Sequence, residues 1–409
     1  MKVDLQKLFT LQNIKDACKH LSKKGVKKDF SDLRRFSLKE ENNLSLFLKD
    51  LSLEKYYSGL KKFSFDSYTG IKINKSNKKY RPLLIPKSKD RVVLAAALPK
   101  VKNILEEKLK ANKALGLGLN KRKETFEFKQ TLSEIQELIK EKSFNYILIL
   151  DFKNFFSTID RKILFKELSK NFKGLEQRRL FRFIKKSIEN DIQADADFHG
   201  SFGFLKLKVT GIPQGLSYSP LLASFYTLPL DKVDTVAKEC RGYRYLDDMI
   251  ILSKSKKQAE KAYEYIKEQS EKLKLQLHPL GPTNSKTKLI DIRKKNFEFL
   301  GIEISKEKLL VPQNAKNKFK ETLRGEIVNS KTVKEFKFNQ IKKVYKDYAR
   351  GWVNHYKTLC PKSFKNTEIE LLEYLDRYIE KRKSIKTVGK FFGPKRLTLS
   401  PPFIRMKNT

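Results

Sequence analysis

Two acidic segments of the chain hold the residues best suited to chemistry. In RYLDDMIIL, residues 244–252, Asp247 and Asp248 stand side by side within a run of strand-forming residues. In ILILDFKNFFSTID, residues 147–160, an apolar strand ends on Asp151. Adjacent side chains on a strand point to opposite faces, but a tight hairpin turn can present both at its tip. Neighbouring carboxylates repel each other, so such a pair in an apolar setting indicates a divalent cation.

A strand-end aspartate and an aspartate pair from another hairpin can together hold two Mg²⁺ ions. Such a clamp stabilises an attacking 3′-oxygen and a leaving pyrophosphate during an in-line displacement. Each motif alone has a plainer explanation, because an aspartate pair is often a solvated turn and a lone aspartate is often a helix cap. Since apolar strands precede both motifs, their combination favours the metal site.

The elements that must position these carboxylates can be predicted from periodicity. We predict strands at 83–86 and 145–151, a strand–turn–strand at 243–252 and a hairpin around 297–304. A basic, turn-rich segment at 71–79 precedes the first strand. Helices are predicted over 1–60 and at 90–110, 131–142, 161–190, 220–238 and 256–274, and again after 311. Strands alternating with helices and tight turns indicate an α+β fold, with helices on one face of a sheet.

The chain of 409 residues carries a formal charge of +42, from 89 Lys+Arg against 47 Asp+Glu. Such an excess indicates a polyanionic partner, above all nucleic acid, although a Lys-rich composition is the alternative explanation. Three widely spaced cysteines form no disulfide framework, and four scattered histidines indicate no zinc site. The sequence shows no signal peptide or membrane span, so we predict a cytoplasmic protein without a membrane partner.

Further segments, taken in order with the acidic ones, resemble the motifs of reverse transcriptases. The resemblance is to the prokaryotic lineage of group II intron, retron and defence-associated enzymes, and it covers roughly residues 70–305. YRPLLIPKSKDRVV (80–93) resembles the fingers segment of that lineage, and VTGIPQGLSYSPLLASFYTLPLD (209–231) its Gly-Pro-Gln-Gly segment and palm helix. YLDD (245–248) is a variant of the Tyr-x-Asp-Asp box. SKTKL (285–289) and FEFLGIEI (297–304) are similar to the motifs that close the palm.

The resemblance implies a right-hand polymerase fold with fingers, a palm of antiparallel sheet backed by helices, and a helical thumb. We therefore divide the chain into an N-terminal helical extension (1–70), fingers and palm (71–310), and a basic thumb with a C-terminal tail (311–409). DYARGWVNHY (347–356) resembles a thumb helix of group II intron enzymes, and residues 313–409 hold 24 Lys+Arg against 9 Asp+Glu. Trp352 either anchors the helical bundle or contacts RNA.

The resemblance also implies roles for single residues. Asp151, Asp247 and Asp248 would be the catalytic, metal-binding carboxylates. Five residues would bind the nucleotide: Lys75 and Arg81 on the triphosphate, Gln214 beside the nucleotide and template, Lys286 near the pyrophosphate, and Phe156 as the gate that excludes a 2′-hydroxyl. One of Phe155 and Phe156 is expected to be a core residue. The chain departs from the family at Leu94, where a Gln is usual, and in the faint second fingers motif at 115–125.

The function thus implied is RNA-directed DNA polymerisation with two Mg²⁺ ions, Mn²⁺ being an alternative. The expected partners are an RNA template or primer, above all a specific structured noncoding RNA, the RNA–DNA duplex product and deoxynucleoside triphosphates. Monomeric and oligomeric states are both compatible with the sequence. Nothing in the chain resembles an endonuclease, integrase or RNase H, which favours a free-standing enzyme of antiphage defence. The alternatives are a retron or group II intron-type enzyme, an RNA-dependent RNA polymerase, and an RNA-binding maturase or scaffold without catalysis.

Overall fold

The computed structural model describes residues 4–23, 50–74, 80–111, 121–202, 209–282, 285–329, 338–371, 373–374 and 377. The chain forms two compact units, Met1–Lys295 and Asn296–Thr409. The division predicted at residues 70 and 310 stays a prediction. The predicted tail after residue 377 and part of the predicted N-terminal helical region, 24–49, lie outside the described residues.

The helices of the first unit are α1 (Leu11–Lys23), α2 (Asp50–Gly59), α3 (Ser88–Ala111), α4 (Lys121–Glu141), α5 (Phe155–Thr158), α6 (Arg161–Ser169), α7 (Leu175–Ile188), α8 (Ala196–Phe202), α9 (Ser219–Tyr226), α10 (Val233–Val236) and α11 (Lys256–Lys272). Its strands are β1 (Tyr68–Asn74), β2 (Tyr80–Ile85), β3 (Tyr146–Leu150), β4 (Ile192–Gln193), β5 (Cys240–Tyr245), β6 (Asp248–Ser253), β7 (Leu280–Gly281) and β8 (Thr287–Asp291). Short 3-10 helices lie at Leu5–Lys7, Leu60–Lys62 and Leu228–Lys232.

A five-stranded sheet in the order β5-β6-β3-β8-β7 forms the centre of this unit. Neighbouring strands are antiparallel except for β7 and β8, which are parallel. The middle strand, β3, has the sequence YILIL, in which Ile147, Leu148 and Leu150 are buried. A strand with both faces covered carries a continuous apolar run. A second sheet, in the order β2-β1-β4, includes the first part of the predicted fingers segment, residues 80–85.

Three predicted elements differ from the observed ones. Residues 71–74 continue strand β1 instead of forming a turn-rich segment, because alternating Ile71 and Ile73 pair with β2. The helix predicted at 161–190 is two helices, since the Gly174 region interrupts it. The helix predicted at 220–238 ends at Tyr226 and continues as a 3-10 helix. Pro229 lacks the N–H that the α-helix would need there.

The second unit contains a small antiparallel sheet of β9 (Phe297–Phe299), β10 (Ile302–Ile304) and β11 (Leu309–Leu310). This confirms the predicted hairpin around 297–304. Its helices are α12 (Gln313–Asn329), α13 (Phe338–Leu359) and a further helix over 361–371. The Trp352 ring stacks on Phe319 with centroids 4.3 Å apart and also contacts Tyr356 and Phe364. Trp352 therefore anchors the helices of this unit.

Candidate active site

Asp151 directly follows the central strand β3 and is held by its backbone from two sides. Its N–H donates to Thr287 Oγ1 at 3.2 Å, and its carbonyl accepts from the His278 N–H at 3.0 Å. A further bridge pairs Phe152 with Leu277. The end of β3 is therefore fixed between β8 and the segment before β7.

The second pair of aspartates lies at the tip of the β5–β6 hairpin. Tyr245 pairs with Asp248, so Leu246 and Asp247 form a two-residue turn, here named the hairpin turn. Leu246 has a φ of 56°, in the left-handed region that leucine rarely adopts. Leu150 pairs with Met249, and the same antiparallel register continued by one residue brings Asp151 beside Asp248. The two acidic motifs thus meet at one end of the sheet.

Two cationic or basic side chains contact the Asp151 carboxylate. The Lys286 Nζ lies 2.7 Å from Asp151 Oδ2, and the His278 Nε2 lies 3.2 Å from the same oxygen. Within the described residues, no group of three or more His, Cys, Asp or Glu side chains is close enough to hold a metal ion. In this structure the partner of Asp151 Oδ2 at the shorter distance is the Lys286 ammonium.

The donor set still fits a hard divalent cation. Asp151, Asp247 and Asp248 offer only carboxylate oxygens, which are the ligands that Mg²⁺ prefers. The Lys286 ammonium forms an ion pair with Asp151, so this carboxylate already faces a positive charge. The three aspartates are the residues that could hold the metal.

Arg81 and Gln214, both predicted to contact the nucleotide, lie on two segments joined by backbone contacts. Arg81 is an exposed residue of β2. Three residues further along β2, the Leu84 N–H donates to the Gln214 carbonyl at 2.9 Å. Gly215 has a φ of 138°, and a Cβ there would lie 2.1 Å from the Leu84 carbonyl oxygen. Only glycine lets the turn of Gln214 pack this closely against the strand of Arg81.

The two phenylalanines after Asp151 differ in accessibility. Phe155 is buried at 3% exposure, whereas Phe156 is only partly buried, and the two rings meet edge to face at 5.4 Å. One of the pair is therefore a core residue, as expected, and it is Phe155. The Phe156 carbonyl accepts from the Ile212 N–H at 2.9 Å, which links Phe156 to the segment of Gln214.

The structure thus brings the predicted residues into two groups. Asp151, Asp247, Asp248 and Lys286 gather at the end of the central sheet, while Arg81, Gln214 and Phe156 belong to segments joined by backbone hydrogen bonds. Lys75 and residues 115–120 of the faint second fingers motif lie outside the described residues.

Sequence reasoning missed His278 and Thr287 as neighbours of Asp151. The alternation in LKLQLH, residues 273–278, is typical of an extended segment. Nothing in that pattern indicates that the segment reaches a residue more than a hundred positions earlier. Arg244 was also missed, because an arginine in a strand reads as an exposed residue.

Residues 73–304 match the family model described as Reverse transcriptase (RNA-dependent DNA polymerase). This match covers more than half of the chain, which therefore belongs to the reverse transcriptase family. This family agrees with the predicted enzyme class, an RNA-directed DNA polymerase and nucleotidyltransferase. The predicted α+β right-hand polymerase fold is confirmed.

Among solved structures, the chain is similar to apo telomerase from Candida tropicalis truncated from its C-terminal domain. That match has a TM-score of 0.39 and 14% identity, and covers 59% of this chain and 54% of the other. It is also similar to telomerase from Candida albicans in complex with a TWJ fragment of telomeric RNA, with a TM-score of 0.44 and 11% identity. That match covers 82% of this chain and 62% of the other. Likenesses this distant indicate no function.

No curated protein matches the sequence significantly. None of the helices in the described part of the chain is long and apolar enough to cross a membrane.

Proposed function

We propose that this chain extends a primer with deoxynucleotides on an RNA template, using two Mg²⁺ ions held by Asp151, Asp247 and Asp248. The observation that carries the proposal is the meeting of the two acidic motifs at one end of the central sheet, given by the β3–β6 register. Residues far apart in sequence supply the carboxylates, and the backbone of each acidic segment is held by pairing within the sheet.

In this proposal the protein positions charge and forms no covalent intermediate with the nucleotide. Divalent cations, when bound, stabilise the attacking 3′-oxygen and the departing pyrophosphate. With a divalent cation held by the three aspartates, the Lys286 ammonium would lie beside the departing pyrophosphate. From there Lys286 would donate a proton to the leaving oxygen, while the proton of the attacking 3′-hydroxyl would pass to water. The 2.7 Å contact between Lys286 and Asp151 supports this placement.

The nucleotide contacts follow from the second group of residues. The Arg81 guanidinium grips phosphate oxygens in a bidentate way, assisted by Lys75. Gln214 lies beside the nucleotide, and the accessible ring of Phe156 closes the space that a 2′-hydroxyl would need. The greater exposure of Phe156 relative to Phe155 supports its role as the gate.

The test is incorporation of labelled deoxynucleotides and ribonucleotides on a primed RNA, with and without Mg²⁺. We expect extension only with Mg²⁺ or Mn²⁺ and only with deoxynucleotides. Asp247→Asn keeps the side-chain shape but removes the charge, so it should abolish extension while RNA binding persists. Asp291→Asn is the matched control, because Asp291 is a strand-end aspartate opposite Tyr146, at the other end of β3.

Three outcomes would contradict the proposal. Preferred incorporation of ribonucleotides would indicate an RNA-dependent RNA polymerase. Specific RNA binding without extension would indicate a maturase or scaffold. Wild-type extension by Asp247→Asn would place the metal site elsewhere.

We further propose that the partner is a specific structured RNA that contacts helix α7. The buried face of α7 includes Leu180, Phe183 and Ile184. Its outer face exposes Arg178, Arg182 and Lys185, spaced three and four residues apart and so on one side of the helix. Within the described part of the chain, these three residues form no ion pair. Phosphate oxygens complement such a stripe.

Helix α11 provides the contrast that makes the α7 face informative. Its exposed lysines alternate with glutamates, so Lys256 pairs with Glu260 and Lys272 with Glu268. The high lysine content of the chain therefore does not by itself make every exposed helix face positively charged. The unbroken stripe on α7 favours a polyanionic partner.

The test compares two triple variants in RNA binding as a function of salt. Neutralising Arg178, Arg182 and Lys185 to Gln should lower the slope of log K against log [salt] by about 2–3 units. The control neutralises the exposed Lys257, Lys261 and Lys267 of α11. Sequencing the RNA retained at about 0.5 M salt should show one dominant species. An unchanged slope, or a mixture mirroring total cellular RNA, would refute the specific contact.

The finer assignment, a cytoplasmic enzyme of antiphage defence, is proposed on the sequence resemblance. Its test is the plating efficiency of phages on cells that express the wild type or Asp247→Asn. We expect protection by the wild type and none by the variant. Equal plating on both strains would remove the defence role and leave the polymerase assignment standing.

A further inference from the structure

A buried ion pair lies directly behind the hairpin turn. Arg244, in β5, is three residues before Asp247 and only 2% exposed. Its Nε and Nη2 donate to the two carboxylate oxygens of Asp231 at 2.7 and 2.6 Å. The side chains are 1% and 5% exposed, so water reaches neither charge freely.

The guanidinium also donates to two backbone carbonyls. Nη1 donates to the Leu246 carbonyl at 3.3 Å, and Nη2 donates to the Ser224 carbonyl at 3.2 Å. Leu246 is the first residue of the hairpin turn, and Ser224 lies in α9. One planar side chain therefore fixes the turn to α9 and to the 3-10 helix that carries Asp231.

The hairpin turn needs such an anchor because its backbone is strained. Leu246 has a φ of 56°, a conformation that persists only when the surroundings enforce it. The Leu246 carbonyl is part of the peptide that joins it to Asp247. A rotation of that peptide would break the bond from Arg244 and turn the Asp247 carboxylate away.

Stability alone does not account for the pair. Well-packed apolar residues of similar volume commonly replace a buried ion pair without loss. A guanidinium, in contrast, offers donors in a fixed plane, which an apolar residue cannot imitate. Arg244 therefore contributes a fixed arrangement of hydrogen-bond donors rather than stability.

We propose that Arg244, held in place by Asp231, is a positioning residue that locks the Leu246 carbonyl and so aims the Asp247 carboxylate at the metal site. The inference rests on the proposed function, since it concerns the same carboxylate. It adds two residues that contact neither nucleotide nor metal.

The experiment uses the full chain and two variants. R244M/D231L removes both buried charges and keeps the apolar volume, so folding is preserved while the bond to Leu246 is lost. R244K keeps the charge opposite Asp231, but a single ammonium cannot also reach both carbonyls in the guanidinium plane. Leu53→Ala, a truncation in the buried core of α2, serves as the control for lowered stability alone.

Four quantities are measured: the melting temperature, the Kd for a primer–template, the kcat with its Mg²⁺ half-saturation, and Mn²⁺ binding by electron paramagnetic resonance without nucleic acid. In both Arg244 variants we expect an unchanged primer–template Kd. The kcat should fall and the metal half-saturation should rise, each by about 10- to 100-fold. Leu53→Ala should melt at a lower temperature with wild-type metal dependence.

Wild-type kcat and Mg²⁺ half-saturation in a folded R244M/D231L or in R244K would overturn the inference. If the wild type itself showed no extension, the proposed function would fail. Mn²⁺ binding would still decide the positioning role, because equal affinity in wild type and variants would refute it.

Discussion

Replacing Gly215 by alanine should damage both the fold and nucleotide use. A Cβ at this position would lie 2.1 Å from the Leu84 carbonyl oxygen, whereas ordinary contacts begin near 3.4 Å. The oxygen belongs to the backbone of β2 and cannot rotate away like a side chain. The turn and the strand must therefore separate by about 1 Å. A displacement of this size can lower the reaction rate by about 100-fold when it misplaces a catalytic contact.

The loss of stability can be worked from two contributions. Separation breaks the hydrogen bond from the Leu84 N–H to the Gln214 carbonyl, which is 2.9 Å long, at a cost of about 0.5–1.5 kcal/mol. The φ of 138° strains any residue with a Cβ, at a cost of about 1–3 kcal/mol. Together they give about 1.5–4.5 kcal/mol. The same separation moves Gln214 away from the strand of Arg81, so kcat/KM for the deoxynucleotide should fall.

The assays are urea unfolding and steady-state extension with varied deoxynucleotide concentration. Gly200→Ala is the control, because Gly200 lies in α8 with nothing within 4 Å of its Cβ position. That control should be neutral or slightly stabilising. A loss below about 0.5 kcal/mol in Gly215→Ala, the usual scatter of neutral substitutions, would refute the packing argument. Lowered stability with wild-type kcat/KM would refute the placement of Gln214 beside the nucleotide.

Two further predictions concern the gate and a buried carboxyl group. Phe156→Ala should admit ribonucleotides, which would be measured as a lower ratio of deoxynucleotide to ribonucleotide incorporation. Phe155→Ala truncates a core residue and should lower stability while leaving that ratio unchanged. The reverse pattern would make Phe155 the gate. Burial raises the pKa of Asp90 from 3.8 to about 7, although the Asp66 N–H opposes the shift. The folded state therefore holds a proton that the unfolded state releases, and stability falls as pH rises from about 4 to 7. Asp90→Asn should remove this fall. The free energy of unfolding of the variant minus that of the wild type, measured with urea, should therefore rise by about 2–3 kcal/mol between pH 5 and pH 8. A difference that stays constant with pH would contradict the assignment.

Much of the site could be predicted because its carboxylates follow local patterns. An apolar run that ends on an aspartate marks the end of a buried strand, and an aspartate pair between two apolar runs marks a hairpin tip. Both patterns are local, and the structure has both elements. The difference between Phe155 and Phe156 is not local. It depends on which ring the tertiary packing buries, and here the core includes Phe155.

The contacts that hold the site together lie beyond local patterns. Thr287 and His278 reach Asp151 through sheet pairing, and Arg244 reaches Asp231 through the packing of β5 against the 3-10 helix. A charged residue within a strand gives no indication of its partner from spacing alone. Helix ends were likewise misjudged at 161–190, because a uniform apolar period does not reveal a break at Gly174.

The order of strands in the central sheet has a consequence for how the chain matures during synthesis. The first strand of this sheet to leave the ribosome, β3, takes its place between β6 and β8, which are made about a hundred and about a hundred and forty residues later. Asp151 thus emerges long before the residues that complete its surroundings. A nascent or prematurely terminated chain that ends before residue 286 lacks both Lys286 and Thr287, and so cannot assemble the site. The proposed metal site can therefore be complete only once this unit is nearly finished.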